Sequence, residues 1–149
     1  MAIRYGPESI LVKKVIVTTR LERLKEYLRV LKSIKSHDLR RFNEDPLVHG
    51  AAERYLQLAI ECVLDIGNHL IADRNLRKPG TYAEIFEILA ENQIISEKLL
   101  KELEGMAAFR NILVHDYVRL DRERVYQLIQ TRLKYIEQLA RVYAELLNR

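Results

Sequence analysis

Cysteine, proline and glycine are scarce in this chain of 149 residues, which holds 1 cysteine, 3 prolines and 5 glycines. A single thiol, Cys62, excludes an intrachain disulfide and a cysteine-based zinc site, and it is expected to be a buried thiol in a reducing compartment. So few turn formers argue against an all-β domain, which at this length needs a tight turn roughly every ten residues. No apolar run approaches the roughly 20 residues of a membrane span. The stretch from Met1 to Ser9 lacks a cationic segment followed by an apolar one and a cleavage site, so a soluble cytoplasmic protein is expected. What is present is an ordinary globular mixture, 48% hydrophobic and 31% charged, able to bury a core. Lys and Arg number 25 against 21 Asp and Glu, a formal net charge of +4. That balance tolerates a polyanionic partner without demanding one. The length fits a single domain spanning residues 1–149.

The apolar residues repeat at helical spacing. Val17, Leu21, Leu24, Leu28 and Leu31 line one side of a first helix from about residue 8 to 36. Residues 37–45 have turn and charge character, and Asp45-Pro46 then supplies an N-cap followed by proline at the first helical position. The second helix carries Ala52, Leu56, Ala59, Val63, Ile66 and Leu70 on its apolar stripe and ends near residue 73, before Lys78-Pro79-Gly80. Thr81 and Glu84 form a capping box that opens a short third helix to about Ala90. Ser96 caps a fourth, Glu97 to about His115, and Asp121 caps a fifth running nearly to the end, with Val125, Ile129, Ile136, Leu139, Tyr143 and Leu146 inward. The pattern predicts an all-α, antiparallel bundle of four main helices plus a short one.

The fourth helix contains an anomaly. Its stripe reads Leu99, Leu103, Met106, Arg110, Leu113, Tyr117, so a guanidinium stands where the periodicity calls for an apolar group. An unpaired buried charge costs several kcal/mol, so Arg110 must meet an acid or open onto a cleft or an interface. His115 follows five residues later; at about 100° per residue the two side chains leave a regular helix roughly 140° apart, whereas Arg110 and Tyr117 share a face. Convergence of Arg110 and His115 therefore requires a loosened helix end or a second copy of the chain. On the second helix, Gln57, Glu61, Asp65 and His69 form a polar row at steps of four. The row spans about 12 Å, too far for both carboxylates and the imidazole to ligate one ion, and a polar lining or solvated face is the better reading. His37 and His49 read as loop and helix-surface residues.

Arg110, His115 and Tyr117, set within Phe109-Arg110-Asn111-Ile112-Leu113-Val114-His115-Asp116-Tyr117, resemble the Arg-x-x-x-x-His-x-Tyr signature of the HEPN superfamily. The resemblance is to the HepT-like ribonuclease toxins of type VII HepT/MntA toxin–antitoxin systems. Arg54 to Glu61, Asp65-Ile66 and His69-Leu70 are similar to the second helix of that family, and most of the chain beyond about residue 20 is covered. The resemblance implies a HEPN-like dimer that cleaves RNA without a metal or other cofactor, its two motifs facing one another in a basic cleft. It implies Arg110 and His115 as catalytic residues, with Asn111, Glu61 and Asp65 supporting them. Tyr117 is similar to the tyrosine that a minimal nucleotidyltransferase antitoxin modifies with AMP. The rival expectation is a non-catalytic HEPN-like module in which the motif binds a nucleotidyltransferase partner or a nucleotide.

Overall fold

The computed structural model describes residues 7–115 and 121–148, with side chains described from Lys14 onward. Among these residues there are eight helices and no strand: α1 (Pro7–Lys35), α2 (Leu39–Glu44), α3 (Pro46–Asp73), α4 (Tyr82–Glu91), α5 (Glu97–Glu102), α6 (Met106–His115), α7 (Arg122–Thr131) and α8 (Leu133–Leu147). None is long and apolar enough to cross a membrane.

The long helices α1 and α3 form the frame. Arg20 faces Cys62 and Asp65 while Tyr27 meets Tyr55, so the paired residue numbers run in opposite directions and the helices are antiparallel. The expected stripes are buried on both, Val17 to Leu31 on α1 and Ala52 to Leu70 on α3. The inward residues of α7 and α8 close the core beside them, and Leu146 is half-buried at its edge. Caps appear where side-chain chemistry places them: Asp45 accepts the Leu47 N–H, Thr81 the Glu84 N–H, Ser96 the Leu99 N–H and Asp121 the Glu123 N–H.

Three helical boundaries depart from the sequence expectation. The charged segment expected to be loop contains α2, capped by Asp38, whose Oδ1 accepts the Arg41 N–H at 2.8 Å. Phe42 is its one fully buried side chain and packs 6.4 Å, centroid to centroid, from His49. His49 is therefore buried rather than on the helix surface, and its Nδ1 has no hydrogen-bond partner among the described residues. The expected fourth helix is broken into α5 and α6 by Gly105, whose φ of +81° is left-handed backbone that glycine adopts without steric cost. The expected fifth helix is broken at Arg132, where the Thr131 hydroxyl donates back to the Gln127 carbonyl at 2.7 Å, a bond that bends helices.

Candidate active site

The break at Gly105 starts α6 afresh, and α6 carries Arg110 across the middle of α3. There the guanidinium does both of the things its position demands. Nε donates to Glu61 Oε1 at 3.1 Å, Nη2 lies 3.0 Å from the same oxygen, and Nη1 donates to Asn111 Oδ1 at 3.0 Å. Gln57 Nε2 also donates to Glu61 Oε1, at 3.1 Å, fixing the carboxylate from the preceding turn of α3. Arg110 keeps 21% of its side-chain surface exposed, enough to present to a ligand. Of the five guanidinium N–H groups, one on each terminal nitrogen is left without a partner among the described residues.

These groups open onto a cleft of about 500 Å³ between α1, α3 and the start of α4. Glu61, Asp65, Cys62 and Asn68 from α3, Arg20, Arg23 and Tyr27 from α1, Tyr82 from α4 and Arg110 all line it. Asp65 is ion-paired with Arg20, and His69 Nε2 lies 3.9 Å from the other Asp65 oxygen. Two of the three cleft arginines are thus matched by carboxylates, whereas Arg23 is exposed and has no ion-pair partner among the described residues. The Cys62 thiol donates to the Arg20 carbonyl at 3.2 Å, and burial, helped by the Asp65 charge and opposed by Arg20, pushes its pKa up to about 11. It is a wall residue, held as the neutral thiol, and not a nucleophile at neutral pH.

The cleft therefore unites Arg110, Glu61 and Asp65 of the expected site residues. Asn111 touches Arg110 from the same helix but lines a second hollow, on the other side of Tyr82. His115 is exposed in the last turn of α6 and does not line the Arg110 cleft. Because α6 is helical from Met106 through His115, the five-residue spacing separates the two side chains around the helix axis by roughly 140°. Tyr117 lies outside the described residues. Four charged or aromatic cleft residues escaped the sequence reading: Arg20, Arg23, Tyr27 and Tyr82. Tyr82 is 53% exposed, and the Arg110 guanidinium carbon sits 5.7 Å from its ring centroid, within cation–π range.

The fold has solved counterparts. A HEPN toxin of Shewanella oneidensis, solved as a tri-AMPylated form in complex with an MNT antitoxin, superposes with a TM-score of 0.79 and 28% identity, covering 87% of this chain and 97% of that one. That superposition of the helical fold places the molecule among HEPN-type helical domains. Residues 19–143 match the family described as ribonuclease HepT-like, and the chain belongs to that family. Among curated relatives, the tRNA nuclease HepT of Aphanizomenon flos-aquae is 30% identical over 132 residues, 86% of this chain and 90% of that protein. The mRNA nuclease HepT of Shewanella oneidensis is 28% identical over 123 residues, 83% of this chain and 92% of that protein.

Proposed function

We propose that this chain is the toxin of a toxin–antitoxin pair, a single-domain cytoplasmic endoribonuclease that acts as a homodimer without a metal ion. The observation that carries the reading is Arg110: a guanidinium fixed by Glu61 and Asn111 yet facing an open cleft with two N–H donors that no described residue takes up. A side chain so held is pre-organised to take the non-bridging oxygens of a phosphodiester and to stabilise the charge that builds as the ribose 2′-oxygen attacks. Imidazole is the side-chain type that exchanges protons near neutrality, and the two copies supply it, one His115 taking the 2′-OH proton and the other protonating the 5′-oxygen leaving group. Pairing two copies brings both histidines to one centre beside Arg110, which reconciles their separation on α6 with a single reaction centre.

Glu61 positions Arg110, and Asp65 holds Arg20 at the cleft wall. The relatives are named for cutting tRNA and mRNA, so RNA is the substrate class, without choice of molecule. The partner is a minimal nucleotidyltransferase antitoxin, which transfers AMP from ATP to the Tyr117 hydroxyl with release of pyrophosphate. The added negative charge, two residues beyond His115, repels RNA phosphate and silences the site.

The test is incubation of the purified protein with total RNA in excess EDTA, wild type against His115→Ala and Arg110→Ala, with mass spectrometry of Tyr117 to exclude a masking modification. Cleavage by wild type alone is expected. Identical uncut profiles from unmodified wild type and both variants would establish instead a non-catalytic module that binds its nucleotidyltransferase or a nucleotide.

A further inference from the structure

The second hollow, beyond Tyr82, has no part in the chemistry above. It encloses about 510 Å³ and is framed by Asn68, Lys78, Thr81, Tyr82 and Asn111, a size usual for small-ligand sites. Tyr82 is shared with the Arg110 cleft, whereas Arg110 borders only the first hollow and Asn111 only the second. Consecutive residues of α6 thus face different hollows, with an exposed aromatic ring between them.

The ring stands on a stiff support. Tyr82 is the first residue of α4, where Thr81 Oγ1 accepts the Glu84 N–H and Glu84 in turn accepts the Gly80 N–H. Arg77 ties the preceding loop to α4 through two bonds to Glu91, at 3.0 and 2.8 Å. Asn111 has its Oδ1 committed to Arg110, and among the described residues its amide N–H groups have no partner, which leaves them for a ligand in the second hollow. A rigid aromatic face beside a phosphate-binding guanidinium, with amides around it, is the combination by which proteins hold an unpaired nucleotide.

We propose that the second hollow seats an RNA base: Tyr82 stacks on the nucleobase next to the phosphate that Arg110 holds, and the amides of Asn68 and Asn111 meet its edge. The inference rests on the ribonuclease reading and extends it to a base-binding subsite. Stacking of this kind tolerates any base, so it gives affinity and register more than sequence choice.

Binding of a fluorescent, uncleavable 2′-O-methyl octamer of mixed sequence, and of the same octamer without bases, tests it. Tyr82→Ala should weaken binding of the base-bearing octamer roughly tenfold or more, leave the abasic one unchanged, and keep the light-scattering mass of wild type. Tyr82→Phe should bind like wild type. Equal weakening on both octamers would assign Tyr82 to positioning Arg110, and weakening accompanied by a smaller scattering mass would assign it to a subunit contact. Either result, or no weakening at all, overturns the proposal. A wild type that cuts RNA while residue 82 is indifferent sinks only this inference; a wild type that neither binds nor cuts RNA sinks the ribonuclease reading with it.

Discussion

Arg110 is held by a carboxylate and an amide, so its geometry and its charge are separable by substitution. Arg110→Lys keeps the charge but loses the fork that spans Glu61, Asn111 and substrate at once. It should fold, and its cleavage rate on an RNA oligomer should fall by about 10²-fold or more, the loss typical of removing one transition-state donor. Glu61→Ala leaves a half-buried guanidinium without its counter-charge. Urea titration should find it destabilised by about 1–3 kcal/mol, between the values for exposed and buried pairs. Cys62 gives a pH dependence. Its folded pKa of about 11 exceeds the ordinary thiol value near 9, so its contribution to stability is complete below pH 9 and is lost as the pH rises through 11. Iodoacetamide labelling of folded protein should accordingly keep accelerating to about pH 11, whereas labelling of urea-unfolded chain should level off near 9. At this scale the site was partly legible. Arg110 declared itself by interrupting an apolar stripe, and Glu61 and Asp65 by their row on α3. Arg20, Arg23 and Tyr82 interrupt nothing, because an arginine or tyrosine on a solvated helix face is ordinary.

Where the elements meet, a glycine decides how closely they approach. A Cβ on Gly67, in the C-terminal part of α3, would stand 2.7 Å from Ile85 Cγ2 of α4 and 2.9 Å from the Tyr143 hydroxyl of α8. That hydroxyl donates to the Val63 carbonyl at 2.9 Å, and its burial raises the phenol pKa, so it cannot yield easily. Gly67→Ala should therefore cost about 1–3 kcal/mol through overpacking, despite the higher helix propensity of alanine, read as a lower urea midpoint. Helix existence was legible from periodicity and caps, but helix breaks were less so. Leu103 and Met106 keep the three-residue step across Gly105, so the apolar stripe runs on while the backbone does not. At Arg132 there is neither glycine nor proline, and the signal is a threonine hydroxyl that competes for a helix carbonyl. The helix α2 was hidden by its polar composition, since only Phe42 reaches the core.

At the scale of the assembly, the spacing of the motif constrains what one copy can do. Five residues of unbroken helix turn His115 away from the cleft that Arg110 lines, and this incompatibility was legible from spacing alone, although the face on which a partner copy sits was not. If each reaction centre draws on both copies, activity belongs to the dimer and not to the chain. Mixing wild type with His115→Ala distinguishes the cases. After subunit exchange at equal amounts, about a quarter of dimers contain two wild-type copies and about half are mixed, as random pairing about a two-fold axis dictates. A centre that needs both histidines should retain about a quarter of the rate of the same total protein as wild type, because every mixed dimer is dead. Centres that each need only one histidine, from either copy, should retain about half. The quarter is the expected outcome, checked by initial cleavage rates across mixing ratios, where the dependence on wild-type fraction should be quadratic. A linear dependence would mean that each centre works with one histidine, whichever copy supplies it, and it would overturn the two-histidine scheme.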